Sequence, residues 1–314
     1  SVFALKIYYT LNVNFDQHIK SICDYILSFR KKNHIYSSFV LKQNYRPKRV
    51  FYQLLNRNFK QLKNFHKNYK NAETRQALSA LELYDYLPNM SDYDIPLTSK
   101  GIYDFLEKMN WNRPWHAGSH FSHLMFFIHF LKEQKKLSPE EYNNLIDYSV
   151  NWINQLAKED GFWYEGETSF NMKVNGAMKI LTGLIRVNRV DIPYPKKMLD
   201  LILSNKEESH ACDHFNIVLV VYYLNKRLNG DYRNKEIKDF AYEKIQEYKS
   251  FFHEDIGGFS FFQNKAANGY YGAKITRGLN EPDMHGTVMF LWGIAMLSDI
   301  LNIRETIGLN IFKS

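Results

Sequence analysis

Histidines and carboxylates that could transfer protons cluster in three short stretches of the sequence. Six of the eleven histidines lie in these stretches, at His116, His120, His123, His210, His214 and His285. Asp213 directly precedes His214, and Asp283 stands two residues before His285. A carboxylate within reach of an imidazole orients the ring and raises its basicity, which suits general acid–base catalysis. Asp213, His214, Asp283 and His285 are therefore predicted catalytic residues.

Other side chains near these clusters are candidates for lining a substrate pocket. His116 and Tyr164 complete the predicted catalytic group. The predicted substrate-binding residues are Trp115, His120, Trp163, Glu165, Glu167, Tyr271 and Arg277. Phe, Tyr and Trp make up 16% of the chain, which is more than core filling requires, so some of the rings are expected to face a cavity.

Asp283 also has a structural interpretation. It stands just before the helix that is predicted to begin near Gly286, where an N-cap carboxylate accepts hydrogen bonds from backbone N–H groups. The two roles can coexist, and the sequence leaves both open. For His129, inside the apolar run Leu124–Leu131, a core position is expected instead.

The hydrophobic pattern predicts an all-α chain in which two kinds of helix alternate. Apolar inner helices with small residues are expected at Val2–Leu11, Thr74–Leu87, Ser119–Leu131, Asn175–Val187, Cys212–Leu224 and Gly286–Leu297. Amphipathic outer helices are expected at Phe15–Arg30, Val50–Tyr69, Ser99–Met109, Pro139–Lys158, Lys196–Leu203 and Lys235–Phe252. Six such pairs at a spacing of roughly 50 residues would close a ring, so the predicted fold is an (α/α)6 toroid with a central pocket.

Length and composition bound the organisation of the chain. No long linker or low-complexity stretch divides the 314 residues, so one domain over residues 1–314 is predicted. The longest apolar run, Val288–Leu297, is about half of the roughly 20 residues that a membrane span needs, and no cationic-then-apolar leader opens the sequence. Only two cysteines, Cys23 and Cys212, are present. We therefore expect a soluble, cytoplasmic protein that is not transmembrane, with secretion left as an alternative.

The net charge of +8 comes from one segment of the chain. Residues 25–72 contain 12 Lys and Arg but no Asp or Glu. Arg57, Lys60, Lys63 and Lys67 recur at three- and four-residue steps, so one helix would present a basic stripe. The stripe is either a docking surface for an anionic partner or a solvated outer face. Sequence-specific nucleic-acid binding is not expected, because no helix-turn-helix, zinc-finger or RNA-recognition motif accompanies the charge.

Two glycine–aromatic turns are each followed by a polar cluster at the start of a predicted inner helix. Gly257-Gly-Phe-Ser-Phe-Phe262 precedes Pro282-Asp-Met-His285, and Asp160-Gly-Phe-Trp163 precedes Asn175-Gly-Ala-Met178. In this arrangement the chain resembles the toroids of terpenoid cyclases and protein prenyltransferases. The resemblance implies that the N-termini of the inner helices converge at one end of the ring, beside a pocket for an isoprenoid. The same fold also hosts carbohydrate-active enzymes and binding proteins.

The prenyltransferase resemblance further implies a zinc site. The β subunits of those enzymes bind zinc through an Asp-x-Cys pair at one inner-helix start and a His at a later one, and this chain offers His210-Ala-Cys212 and His285. His replaces Asp at the first position, which zinc tolerates because imidazole, thiolate and carboxylate are all competent ligands. The alternative is that Cys212 is a small core residue and that the histidines are polar pocket residues.

Polysaccharide lyases and related carbohydrate-active toroids form a second class of resemblance. They use His and Tyr for proton transfer and Asn or Arg to neutralise a uronate. Residues of these types stand at Asn110, Asn112, Trp115, His116, Tyr164, Tyr270, Tyr271 and Arg277. Aromatic rings stack on sugars, but they also contact isoprenoids and carbocations, so ring content does not separate the two classes.

Several other activities have no support in the sequence. Asp92-Tyr-Asp-Ile95 lacks the last carboxylate of the Asp-x-Asp-Asp motif of class II terpenoid cyclases. No Walker loop, dinucleotide fingerprint or serine-hydrolase elbow is present. A non-catalytic scaffold, with the polar clusters as helix caps and the basic segment as a docking surface, is the third interpretation. The sequence ranks a prenyltransferase- or cyclase-like enzyme just ahead of a carbohydrate lyase or hydrolase.

Overall fold

Helices account for most of the described chain. The structure is a computed structural model that describes residues 1–40, 51, 55, 59–90, 93–205, 208–270 and 273–313, with the backbone alone for residues 59–67 and 273. The strands within these ranges are short and form two hairpins. The prediction of an all-α chain is thereby confirmed. No helix in the same ranges is both long enough and apolar enough to cross a lipid bilayer.

Contacts between residues divide the chain into two compact units. Unit 1 comprises Ser1–Tyr9, Val13–Met90 and Phe251–Val288. Unit 2 comprises Thr10–Asn12, Ser91–Ser250 and Met289–Ser314. Each unit is therefore assembled from segments that are far apart in sequence, and the single domain over residues 1–314 stays a prediction.

The described part of unit 1 includes three α-helices and the two hairpins. Its elements are α1 (Val2–Thr10, of which Thr10 belongs to unit 2), α2 (Asp16–Leu27), β1 (Arg30–Lys31), β2 (His34–Ile35), α3 (Phe59–Leu81), β3 (Gly269–Tyr270) and β4 (Ala273–Lys274). Helix α2 buries Ile19, Cys23 and Ile26, which lie on one face at helical spacing. Strand β2 packs on α3, where the Ile35 N–H donates to Thr74 Oγ1 at 3.0 Å.

Helix α3 is continuous where the sequence analysis placed two helices. The predicted boundary between Tyr69 and Thr74 is wrong, because the helix runs without a break from Phe59 to Leu81. The intervening residues, Lys70-Asn-Ala-Glu73, contain neither Pro nor Gly, so nothing in the backbone interrupts the hydrogen-bonded ladder. The predicted outer helix Val50–Tyr69 and inner helix Thr74–Leu87 therefore do not form an inner–outer pair.

Unit 2 contains the longer run of alternating helices. They are α4 (Ser99–Glu107), α5 (Pro114–Glu133), α6 (Pro139–Gln155), α7 (Phe170–Arg186), α8 (Pro195–Leu203), α9 (Ala211–Arg227), α10 (Asn234–Tyr248) and α11 (Met284–Ile300), which belongs to unit 2 from Met289 onward. Local sequence fixes several starts. Ser138 and Glu141 form a capping box at α6, and proline opens α5, α6 and α8.

The helices of unit 2 pack in an order that separates an inner from an outer set. Helix α5 packs on α7, and α7 packs on α9, where Asn216 Nδ2 donates to Asn175 Oδ1 at 2.6 Å. Helix α6 covers α5, and both α8 and α10 cover α9. The apolar helices α5, α7 and α9 thus lie side by side, with amphipathic helices outside them, as the hydrophobic pattern predicts for this part of the chain.

Glycines bring α5 and α7 into close contact. A Cβ atom at Gly118 would lie 3.0 Å from the Gly176 carbonyl oxygen, and one at Gly183 would lie 3.0 Å from Ser122 Cα. Between these positions the buried hydroxyls of Ser122 and Thr182 are hydrogen-bonded at 2.9 Å. Residue numbers increase in the same direction along both helices at these contacts, so α5 and α7 run parallel. Their N-terminal ends therefore lie at the same end of unit 2.

Helices α9 and α11 are also parallel. Contacts that link them within unit 2 include Cys212 Sγ to Met289 Sδ at 3.6 Å, the rings of Phe215 and Trp292 at 4.7 Å, and Tyr222 Oη to Asp299 Oδ2 at 2.8 Å. The same sequence separation, 77 residues, recurs in each pair. A constant separation is what two helices running in the same direction produce.

Replacing Gly176 with alanine is expected to lower the free energy of unfolding by about 1–3 kcal/mol, the usual cost of overpacking. The new Cβ would lie 2.6 Å from Pro114 Cβ and 3.0 Å from the Pro114 carbonyl carbon, and backbone atoms cannot move aside alone. Urea denaturation followed by circular dichroism measures the change. Asn144→Ala, at an exposed position of α6, is the control and should change stability by less than about 0.5 kcal/mol. A Gly176→Ala protein as stable as the parent would contradict this packing.

Candidate functional site

An aspartate, a tyrosine and a lysine form a closely connected polar cluster in unit 2. The Tyr164 hydroxyl donates to Asp160 Oδ2 at 3.0 Å. Lys173 Nζ donates to the same carboxylate oxygen at 2.7 Å and to the Tyr164 hydroxyl oxygen at 2.9 Å. The three groups thus close a triangle of hydrogen bonds, here called the Asp160–Tyr164–Lys173 cluster. Its aspartate and lysine side chains are only 23% and 18% exposed.

The loop before α7 and the first turn of α7 build this cluster. Asp160 Oδ1 accepts the Phe162 N–H at 3.1 Å, so the carboxylate also organises its own turn. Gly161 adopts φ +92°, and a Cβ there would lie 2.8 Å from the Tyr194 carbonyl oxygen at the start of α8. The buried rings of Phe162 and Trp163 anchor the loop below. Only glycine fits this turn without strain, and the turn holds Asp160 against α8.

Hydrogen bonds keep the lysine of the cluster charged. Burial on its own lowers the pKa of Lys173, because it disfavours a charge. The hydrogen bonds to Asp160 and Tyr164 outweigh burial, and the pKa of Lys173 is raised above its usual value. The ammonium also lies 4.3 Å from the centre of the Tyr164 ring. A fixed positive charge therefore stands beside the phenol oxygen.

An open groove of about 370 Å³ runs beside the cluster along α8. It is lined by Asp160, Lys197, Asp200, Leu201 and Ser204. Asp200 is held in place, since its carboxylate accepts hydrogen bonds from the Tyr232 hydroxyl and from Arg233. Asp160 belongs both to the groove and to the cluster. A ligand in the groove would meet the cluster through that carboxylate.

Tyr164 is the one predicted catalytic residue in this cluster. Asp160 and Lys173 were not identified as site residues by sequence reasoning. A partial signal was available, because Asp160 opens one of the two glycine–aromatic turns. Lys173 lies 13 residues after Asp160 and gives no local signal, since the loop has to fold back before the two groups meet.

The first histidine cluster lies on one face of α5. The ring centres of His116 and His120 are 4.6 Å apart, and those of His120 and His123 are 6.2 Å apart. The edge of the His120 ring also meets Phe105, on α4, at 6.4 Å. Desolvation, with a smaller contribution from Arg113, lowers the pKa of His116 below its usual value. Both effects favour the neutral form of the His116 imidazole.

The second histidine cluster caps α9. His210 is the N-cap residue, and its Nδ1 accepts the Asp213 N–H at 3.4 Å. Asp213 in turn accepts the backbone and hydroxyl donors of Ser209. Cys212 is half-buried, and burial raises the pKa of its thiol to about 12. The thiol is thus protonated at neutral pH and donates to Met289.

His214 lies beside a buried ion network that the sequence analysis did not identify. Lys244 Nζ is 2.7 Å from Glu208 Oε1 and 2.7 Å from Glu247 Oε2, and the side chains of Lys244 and Glu208 are 3% and 7% exposed. His214 Nδ1 lies 3.7 Å from Glu247. Burial and then the charge of Lys244 lower the pKa of His214 to about 4. His214 is therefore part of a packed network and differs from an exposed general base.

Asp283 organises backbone in unit 1. One carboxylate oxygen accepts the N–H groups of His285 at 3.0 Å and Gly286 at 2.8 Å, which caps α11. The other accepts the N–H groups of Phe261 at 2.8 Å and Ala267 at 2.9 Å. Asp283 is only 7% exposed. Four backbone donors thus converge on one carboxylate, which supports the capping interpretation of this residue.

His285 lies within an aromatic cluster of unit 1. Its ring stacks on Phe3 and on Phe261, with ring centres 5.3 Å and 4.8 Å apart, and the ring of Tyr270 meets it edge-on at 5.4 Å. The Asp283 carboxylate accepts the backbone N–H of His285 and makes no hydrogen bond to its imidazole ring. The predicted Asp283–His285 pair is therefore adjacent in sequence but is joined through the backbone.

The remaining predicted residues differ in their exposure. Trp163 is buried and Trp115 is 51% exposed, whereas Glu165, Glu167 and Arg277 lie on the surface. Tyr271 and Arg57, as well as the side chains of Lys60, Lys63 and Lys67, lie outside the described residues, so the basic stripe stays a prediction.

The predicted zinc ligands are divided between the two units. His210 and Cys212 belong to unit 2, and His285 belongs to unit 1. Among the residues that the structure describes, no three or more His, Cys, Asp or Glu side chains are grouped so that they could hold a metal ion. The three-ligand zinc site stays a prediction.

Comparison of the sequence with models of protein families and with curated proteins finds no significant match. The functional argument therefore rests on the geometry of the chain's own residues. Within that geometry, the Asp160–Tyr164–Lys173 cluster has the features of a reactive site: a proton donor, a fixed cation and a groove.

Glu73 is a half-buried titratable group that the sequence analysis did not consider. It lies on α3 in unit 1, and burial raises its pKa to about 7 from a usual value of 4.5. The folded chain therefore holds the protonated carboxyl more tightly than the unfolded chain does. Between pH 4.5 and 7 the folded state binds more protons, so stability falls as the pH rises through this window.

The Asp283→Asn protein is expected to lose about 2–4 kcal/mol of unfolding free energy. A hydrogen bond to a charged group contributes about 1.5–3 kcal/mol, and the substitution removes the charge that these bonds share. Asparagine keeps one acceptor oxygen and turns an NH₂ group towards two N–H donors. Guanidinium denaturation measures the loss. Asp255→Asn, at an exposed position of unit 1, is the matched control. Equal stability of the Asp283→Asn and Asp255→Asn proteins would disprove the capping role.

Glu73→Gln is expected to stabilise the chain by up to about 3 kcal/mol at pH 8, and to have little effect near pH 4.5. The amide removes a carboxylate that is buried without compensation above pH 7. Unfolding free energies measured from pH 4.5 to 8 give the difference between variant and parent. Glu107→Gln, which removes an exposed carboxylate, controls for the change in net charge. A difference that does not grow with pH would show that Glu73 is not the group responsible.

Proposed function

We propose that the chain is an enzyme that transfers a proton at an oxygen of a hydroxylated, carbohydrate-like substrate, with Tyr164 as the proton-transfer group. The observation that carries the proposal is the hydrogen bond from Lys173 Nζ to the Tyr164 hydroxyl at 2.9 Å. The reaction class is a polysaccharide lyase- or glycoside hydrolase-like step. Asp160 and Lys173 are positioning and charge-stabilising groups in this scheme.

The chemistry of the cluster supports a proton donor. When the Tyr164 hydroxyl gives its proton to a substrate oxygen, negative charge develops on the phenol oxygen. The Lys173 ammonium already donates to that oxygen, so the charge is stabilised without rearrangement. Asp160 holds Lys173 in place through the 2.7 Å ion pair. The proton can return from the ammonium side or from solvent after the step.

The groove supports a hydroxylated ligand. Carboxylate, ammonium and hydroxyl groups from Asp160, Lys197, Asp200 and Ser204 offer both acceptors and donors along one wall. The ring of Tyr194 is 42% exposed next to the groove residue Lys197, whose ammonium lies 5.5 Å from the ring centre. Exposed aromatic faces stack on sugar rings.

We also propose that the inner helices form part of an (α/α)6 toroid. The parallel pairs α5 with α7 and α9 with α11 support this architecture, because every inner helix of such a ring runs in the same direction. Amphipathic helices on the outer side of α5 and α9 are what the ring requires. The Asp160–Tyr164–Lys173 cluster lies at the N-terminal end of α7, the end at which such a ring would open its pocket.

The prenyltransferase- or cyclase-like activity draws on a different observation. The rings of Phe3, Phe261 and Tyr270 around His285 in unit 1 are of the kind that stabilises a carbocation. His285 itself fills the space between these rings, which leaves the carbohydrate interpretation better supported. A cytoplasmic location, the zinc ion and the scaffold role stay predictions.

The Tyr164→Phe protein is expected to lose about 10²–10⁴-fold of its turnover, the usual contribution of one acid–base group. Its free energy of unfolding should fall by only about 1 kcal/mol, the net value of one hydrogen bond. Turnover is measured on a panel of neutral and uronate-containing oligosaccharides, by release of reducing ends for hydrolysis and by ultraviolet absorbance of an unsaturated product for elimination. Prenyl diphosphates are included in the same panel.

Tyr103→Phe, at an exposed tyrosine of unit 2, is the matched control and should retain full turnover. The Lys173→Gln protein should lose activity together with the Tyr164→Phe protein. Full activity of Tyr164→Phe on a saccharide would remove Tyr164 from the mechanism. Turnover of prenyl diphosphates, with none of the saccharides, would favour the prenyltransferase-like alternative instead.

A further inference from the structure

Two histidines on α5 stand at the spacing that pairs side chains along one helix face. His116 and His120 are separated by four residues, and their ring centres are 4.6 Å apart at an interplanar angle of 70°. Residues i and i+4 are neighbours on a helix, and two histidines at this spacing are a known arrangement for binding one metal ion. Sequence analysis assigned these residues to substrate binding and catalysis. Their mutual geometry fits another role.

The separation of the two rings matches a chelate. A metal ion about 2.1 Å from one nitrogen of each imidazole lies about 3.2 Å from each ring centre. At a coordination angle between about 90° and 109°, the two ring centres are then about 4.5 Å to 5.2 Å apart. The observed 4.6 Å falls inside this interval. The separation of the ring centres is thus compatible with one shared ion when one nitrogen of each ring is turned towards it.

We propose that His116 and His120 form a two-histidine site for a divalent transition-metal ion on the surface of α5. The two imidazoles supply two ligands, and water or a bound ligand fills the remaining positions, as in open metal sites. The site is independent of the Asp160–Tyr164–Lys173 cluster and of the predicted zinc ligands His210, Cys212 and His285. It requires only the helix and the two rings.

The surroundings of the two rings favour binding in one respect and oppose it in another. His116 is exposed on the surface of α5, so an ion from solvent can reach its ring. The edge contact of His120 with Phe105 limits the rotation of the second ring. Arg113, one turn before His116, places a positive charge near the site and weakens the attraction for a cation.

The ligand set determines the order of metal affinities. Imidazole nitrogen suits copper, nickel and zinc, and for such a site the affinity rises from Co²⁺ to Ni²⁺ to Cu²⁺ and falls again at Zn²⁺. Hard cations such as Mg²⁺ and Ca²⁺ prefer oxygen ligands and are not expected to bind. Cu²⁺ is therefore the most sensitive probe of the site.

The test is a calorimetric titration of the tag-free chain with Cu²⁺ at pH 7.5, in a buffer that does not coordinate metals. The parent chain should bind one equivalent at this site, and His116→Asn and His120→Asn should each weaken that binding at least about tenfold. His18→Asn, which removes an exposed histidine from α2, is the matched control and should leave the equivalent intact. Electron paramagnetic resonance of the bound Cu²⁺ should show two imidazole nitrogens.

A fourth variant probes the location of the ion. Arg113→Gln removes the opposing charge without removing a ligand, so it should tighten Cu²⁺ binding several-fold. Circular dichroism confirms that each variant is folded, and the exposed position of His116 makes its replacement mild. A titration of the His116→Asn protein that matches the parent, or an effect of His18→Asn as large as that of His116→Asn, would overturn the proposal. Loss in both α5 variants with retention in His18→Asn would support it, whatever the fate of the Tyr164 mechanism.

Discussion

The close contact of α5 with α7 is the constraint on which the arrangement of unit 2 depends. Glycine at positions 118, 176 and 183 lets the two backbones approach until a Cβ atom would meet backbone atoms of the opposite helix. Such an approach is possible only in one register, because one turn of sliding would bring a larger side chain into the contact. The buried Ser122–Thr182 hydrogen bond selects the same register. The position of Lys173, in the first turn of α7, follows from it.

Functional groups in unit 2 are therefore located by backbone packing. The loop that carries Asp160 and Tyr164 is fixed at one side by the glycine turn at Gly161 against α8 and at the other by Lys173 on α7. A loop of this kind would be mobile without such ties. Rigid placement is what a proton-transfer group requires, since the transfer depends on a heavy-atom distance near 3 Å. The same rigidity benefits the two rings on α5, which a single helix holds in position.

Sequence reasoning was accurate where structure is local and failed where it is not. The start of α6 at Pro139 agrees with the prediction, and α8 begins at Pro195, one residue before the predicted Lys196, because proline acts within one turn. Helix α5 begins at Pro114, five residues before the predicted start at Ser119. The predicted break in α3 is absent, because the apolar residues of a helix can shift from one face to another without ending the helix. For Asp283, the sequence left a capping role and a catalytic role open. Its bonds to the Phe261 and Ala267 amides could not be foreseen, because they depend on how a distant loop folds back.

The tight α5–α7 contact has a consequence for how the sequence can change over time. At position 176 a larger residue would meet the backbone of Pro114 as well as its side chain. A second substitution at position 114 cannot remove backbone atoms. A change at position 114 therefore cannot relieve the clash that a larger residue at position 176 creates. A larger residue at one of the three glycines would therefore need further substitutions that let the helices move apart. A single replacement on its own would be destabilising. Residues at the α5–α7 contact are therefore expected to change together during evolution, whereas exposed residues of α6 can be substituted one at a time.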